Sequence, residues 1–129
     1  MSRSSLRDRL TRGEIVLLDG ALGTELERRG VSTRLPLWSA HAVWDAPDRV
    51  REIHEEYARA GADILTAATF RTTPRAVASA RASGVPGAGL DAAALTRAAI
   101  ALAAEARSRA GASREILVAG SMAPLEDCY

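Results

Sequence analysis

Asp19 and Gly20 close the apolar run of "EIVLLDG", and a second glycine, Gly23, follows in "DGALGTEL". An apolar run ending at an Asp-Gly pair reads as a strand that delivers a carboxylate to a loop. A strand end is where α/β folds keep a functional carboxylate, and a glycine beside it lets a ligand approach backbone N–H groups. The plainer alternative is a strand-ending turn in which Asp19 caps the segment that follows. The stretch is not a dinucleotide fingerprint, because no third glycine stands in register, and it lacks the Gly-Lys-Ser/Thr of a phosphate loop. Two other apolar runs end on small or polar groups: Ala67-Ala68-Thr69-Phe70 in "ADILTAATF", and Gly120-Ser121 in "EILVAGSM". His41, His54 and Cys128 share no short chelating spacing, and His54 falls on an apolar helical face, which favours a packing role. Trp38, Trp44 and Leu37 have no basic patch around them and read as core or lid packing rather than a nucleic-acid platform. Glu55, Glu56 and Arg59 read as a solvated helix face.

The elements that must position these groups alternate in type. The three apolar runs predict strands at Val16–Asp19, Ile64–Thr69 and Ile116–Gly120, each nearly continuous as in a strand buried on both faces. "PDRVREIHEEYARAG" predicts a helix with Pro47 and Asp48 at its start, where a missing N–H costs nothing and an anion meets the helix dipole. Val50, Ile53, His54 and Tyr57 share one of its faces, and Gly61 ends it. A shorter helix begins near Pro74. A long one starts at its N-cap Asp91, stops at Gly111, and carries Leu95 and Leu102 on its inner stripe. "SGVPGAGL" breaks the chain between them. The Arg- and Ser-rich N-terminus has no apolar stretch to serve as a secretory signal, and although it resembles a transit peptide in composition, Asp8 and its brevity favour a plain helical turn. Strand, helix, strand, helix, strand predicts parallel strands joined by crossovers. Two architectures remain, a doubly wound open sheet and the start of a (β/α)8 barrel, and both keep their chemistry at the carboxyl ends of the strands.

Composition narrows the class. The chain has 129 residues, 47% of them apolar, and a formal net charge of +1, so it suits one modest globular domain and offers no electrostatic case for nucleic acid or an anionic membrane. All 17 basic residues are arginine, spread among glutamates along the helices, which reads as a coding bias. No stretch reaches the roughly 20 apolar residues of a membrane span. The single Cys128 cannot form an internal disulfide, which suits a reducing cytoplasm.

Four stretches, "LLDGALGTELERRG", "LWSA", "PDRVREIHEEYARAGADILTAATF" and "ILVAGSMAPLEDCY", together resemble the N-terminal part of the zinc-dependent homocysteine S-methyltransferase family. Their order and spacing match from about Glu14 to Tyr129. The resemblance implies a (β/α)8 barrel that holds the amino acid end of homocysteine at its early strand ends. It implies a zinc ion on three cysteines of later strands, and S-methylmethionine, betaine or a methylfolate as donor. Asp19, Gly20 and Thr69 match positions that hold homocysteine in the family. Ala67-Ala68 stand where many members have Thr-Asn, and that substitution, with "TTPRAV", is most similar to the S-methylmethionine branch. "MAPLEDCY" departs from the usual Gly-Pro-Tyr, and Cys128 matches none of the zinc ligands.

Because a complete barrel needs roughly 200 residues or more, residues 1–129 are expected to be the N-terminal part of the domain: α/β, the first three βα units of a TIM barrel, truncated. The expected function is methyl transfer from a sulfonium-type donor to the zinc-bound thiolate of homocysteine, giving methionine. Zinc ligands are expected beyond the end of the chain, none within it. The isolated segment is expected to be inactive and cytoplasmic. It is expected to self-associate through an exposed sheet edge and to take small-molecule substrates rather than nucleic acid or membrane. The alternative of another class is a non-catalytic α/β remnant that binds an amino acid or a partner chain.

Overall fold

The computed structural model describes residues 5–85 and 91–124. Cys128, most of the expected third strand-end loop and much of the "SGVPGAGL" break lie outside those residues. Helix starts are written in local chemistry. In α1 (Leu6–Thr11), the Ser5 hydroxyl accepts from Asp8 N while the Asp8 carboxylate accepts from Ser5 N, so two orphan donors are satisfied reciprocally. Pro47 opens α4 (Pro47–Ala60), and Gly61 ends it at φ 119°, a left-handed conformation that a side chain would strain. Thr73 caps α5 (Pro74–Ala82), and Asp91 caps α6 (Ala92–Arg109) by accepting from Ala94 N at 2.6 Å. These agree with the sequence. Two short helices do not appear in the sequence pattern: α2 (Gly23–Arg28) and α3 (Ala40–Asp45). Their buried residues, Leu26 in α2 and Ala40, Ala42 and Val43 in α3, are held by packing partners distant in sequence.

The sheet is smaller than expected. β1 (Ile64–Thr66) and β2 (Leu117–Ala119) pair in parallel with Ile64 opposite Leu117 and Thr66 opposite Ala119. The first expected strand, Val16–Asp19, makes only one parallel bridge, Leu18 to Ile64. Backbone bonds from Asp19 N to Ile64 O and from Asp63 and Ile64 N to Leu17 O fix it beside β1. The spatial order is therefore Leu18 segment, β1, β2, all parallel, but with two strands rather than three. Among the described residues the segment's backbone bonds come only from Leu17 and Asp19, so the pairing is one bridge long and does not extend into a ladder. Ile15, Leu17 and Leu18 stay 83, 54 and 66% exposed, against the expectation of burial on both faces.

Helices α4 and α6 pack on the sheet, and α3 packs against both of them. Leu95, Ala99, Ala103 and Ala106 make the buried stripe of α6, which packs against α3 and α4. Leu65, at 0% exposure, joins Ala58, Ala62 and Ile116. At the amino ends of the strands, the Asp63 carboxylate accepts from Leu17 N and lies 3.6 Å from both Arg9 and Arg114. Arg114 also donates to the Ala58 and Ala62 carbonyls at 2.6 and 2.7 Å, closing the C-terminal end of α4. With that end clamped, the opposite end of the sheet is the one left open.

Candidate functional site

A cleft of about 620 Å³ opens over the carboxyl ends of the parallel segments. Its walls come from Gly20 through Thr24, from Trp38 and Ser39, from the residues after β1, and from Ser121 after β2. Glu27 and Thr33, hydrogen-bonded to each other, close one side. Of the sequence-predicted residues, Gly20 stands in the wall, while Asp19 and Thr69 lie one layer behind it.

Asp19 does not cap the following helix: Leu22 occupies the N-cap of α2 and no side chain caps it. The Asp19 carboxylate reaches across to the end of β1 instead. Oδ2 accepts from Thr66 N and Oδ1 from the Thr66 hydroxyl, both at 2.8 Å. Thr66 itself faces the cleft, so the acid and its partner form one unit with the wall. Thr69 plays a matching part between β1 and β2. Its hydroxyl donates to Ser121 O and accepts from Ser121 N, each at 2.8 Å, which ties the two strand ends together.

Gly20 has a reason beyond ligand approach. A Cβ built there meets the Tyr57 hydroxyl at 2.7 Å and its ring at 2.9 Å. Tyr57, projecting from α4, donates that hydroxyl to Ala21 O at 2.9 Å and so fixes the loop that floors the cleft. Burial, with the Glu25 and Asp19 carboxylates nearby, pushes the Tyr57 pKa up, so the phenol remains a donor.

His54, one turn earlier on the same helix, is 1% exposed, and its Nδ1 lies 4.0 Å from Asp19 Oδ2. Burial lowers its pKa and the Asp19 carboxylate opposes that in part, which keeps the ring neutral near pH 7. The aromatic wall is Trp38, in the left-handed region at φ 50°, stacked on Phe70 with centroids 6.5 Å apart and planes at 18°. The Arg71 guanidinium sits 5.1 Å from the Trp38 ring centre and 5.9 Å from that of Phe70.

Sequence reasoning placed Asp19, Gly20 and Thr69 at the strand ends but missed Thr66 and Tyr57. A threonine within a strand carries no local mark of its partner. The one signal for Tyr57 was its place on the apolar stripe with His54. Among the described residues no group of three His, Cys, Asp or Glu side chains is placed to hold a metal ion.

The family model for homocysteine S-methyltransferase matches residues 16–129. Homocysteine S-methyltransferase of Escherichia coli (strain K12) is 39% identical over 126 residues, which cover 92% of this chain and 38% of that protein. Selenocysteine Se-methyltransferase of Brassica oleracea var. italica is 41% identical over 61 residues, 47% of this chain and 18% of that protein. The metallated form of the E. coli homocysteine methyltransferase MmuM superposes with a TM-score of 0.74 at 38% identity, over 93% of this chain and 41% of that one. The chain thus spans less than half the length of the relatives it matches. By these matches, over the same strand ends that form the cleft, the chain belongs to the homocysteine S-methyltransferase family.

Proposed function

We propose that the full-length protein carrying this segment moves a methyl group from a sulfonium-type donor, S-methylmethionine or similar, to homocysteine, giving methionine. The observation that supports this best is the cleft at the carboxyl ends of parallel segments, with Gly20 in its wall and the Asp19–Thr66 pair joined to it. Asp19 orients the amino acid end of the substrate through Thr66, which faces the cleft, Gly20 gives the substrate access to the loop backbone, and Thr69 keeps the strand ends in register. Trp38 and Phe70, with the Arg71 guanidinium already over their rings, give the cleft a firm aromatic side. In the transfer, the S–CH3 bond of the sulfonium breaks and its electron pair stays on the donor sulfur. A new S–CH3 bond forms at homocysteine sulfur, whose thiol proton leaves to solvent. The zinc implied by the resemblance is assigned to cysteines outside this segment, and the roles above belong to the segment's own side chains.

In the same reading, the segment is the opening three βα units of a (β/α)8 barrel. Alone it is inactive, and its exposed Leu17–Leu18 edge favours self-association. A cytoplasmic location fits the family; among the described residues no helix is long and apolar enough to cross a membrane. Methionine formation from homocysteine and S-methylmethionine, assayed with the full-length protein and with the 129-residue chain, tests the proposal. Turnover is expected from the first only. No methionine from the full-length protein with S-methylmethionine, betaine or a methylfolate would overturn it.

A further inference from the structure

We infer that His54 is a positioning residue for the homocysteine site and acts through the Asp19 carboxylate, an inference that rests on the function proposed above. The two side chains are 1% and 5% exposed, and Nδ1 faces Oδ2 at 4.0 Å. Neither ring nitrogen of His54 has a hydrogen-bond partner among the described residues. A ring needed only for packing would be better served by Phe, which fills similar space without burying two polar atoms. The carboxylate offers about four acceptor sites. Thr66 uses one on each oxygen, at 2.8 Å. The separation to Nδ1 exceeds hydrogen-bond range by about 1 Å, which a small rotation of either side chain closes.

The tautomer follows from the charge. A neutral ring with a carboxylate facing Nδ1 places its proton on Nδ1. His54 and Asp19 are both absent from the cleft wall, whereas Thr66 is in it. His54 therefore supports the acid from within the helix layer. With the substrate in the cleft, the imidazole N–H supplies a further hydrogen bond that holds the Asp19–Thr66 pair in place.

The test uses the full-length protein with homocysteine varied at saturating donor. His54→Phe is expected to raise KM for homocysteine about three- to tenfold, with kcat within about twofold of the parent. His54→Asn, whose side-chain amide N–H falls near the place of Nδ1–H, is expected to remain within about twofold in both. Equal behaviour of the two variants, or a loss confined to kcat, would overturn the inference. A nitrogen-15 correlation spectrum of the parent protein decides independently of whether the variants fold. The Nδ1–H tautomer is expected at His54, with its signals shifted in Asp19→Ala. An Nε2–H tautomer, or signals indifferent to Asp19→Ala, would overturn it. Absence of all methyl transfer would instead strike the proposed function, and the spectrum would still decide the His54–Asp19 contact.

Discussion

Replacing Gly20 by alanine puts a methyl group where the Tyr57 hydroxyl and ring now lie, at 2.7 and 2.9 Å from the new Cβ. Real Cβ atoms do not sit that close, so Tyr57 must withdraw, and its 2.9 Å bond to Ala21 O goes with it. Overpacking of this kind costs about 1–3 kcal/mol, and the lost hydrogen bond adds about 0.5–1.5 kcal/mol. Gly20 is not in the left-handed region, so the alanine recovers about 0.4–1 kcal/mol from the unfolded chain. The net expectation is a loss of about 2 kcal/mol, read from the urea midpoint of the full-length protein by circular dichroism. Tyr57→Ala in the same protein removes the obstacle. In that background Gly20→Ala should be neutral or slightly stabilising, a coupling of about 2 kcal/mol between the two positions. An equal cost in both backgrounds would refute the close-contact reasoning, and a neutral Gly20→Ala in the parent would show that Tyr57 does not hold the loop.

Asp19→Ala in the full-length protein should raise KM for homocysteine by about 2–3 kcal/mol in binding terms, while circular dichroism shows the fold retained; unchanged homocysteine dependence would reduce Asp19 to a strand tie. Thr69→Val removes both bonds to Ser121 and should lower stability by about 1–3 kcal/mol in urea titration, with Thr69→Ser close to the parent. Acid should weaken the fold through His54. Its folded pKa lies below the ordinary 6.5, so below that pH the unfolded chain binds a proton that the folded chain refuses. Stability is full above about pH 6.5 and falls as the pH drops toward the folded pKa, by at most about 1.4 kcal/mol per pH unit for one proton. Urea midpoints measured from pH 7.5 to 5 should show this slope, and His54→Phe should flatten it.

Helices α4, α5 and α6 were legible because Pro47, Gly61, Thr73 and Asp91 act on their own neighbours in sequence. The short α2 and α3 were not. Leu26 and Val43 gain their burial from distant partners, and six residues carry too little periodicity to show a face. The run at Val16–Asp19 was read as a buried strand, but apolarity shows what a segment tends to bury and not how many neighbours it finds. The strand-end logic located Asp19 correctly in the fold. Its partner Thr66, 47 residues away, could not be inferred from spacing. Gly20 was read as access for a ligand, whereas close approach by Tyr57 is the constraint the structure adds.

Asp19 and Gly20 ride on a segment joined to β1 by three backbone hydrogen bonds and one bridge, with two exposed leucines on it. Such a segment opens locally at lower free energy than the helix layer behind it, so its amides should exchange with solvent before that of buried Leu65. The site is complete only while the segment is docked. Apparent affinity is the intrinsic affinity scaled by the docked fraction, and a bound ligand in turn slows exchange along the edge. Whatever packs against the outer flank of Leu17 and Leu18 thereby tunes binding at the cleft without touching the ligand.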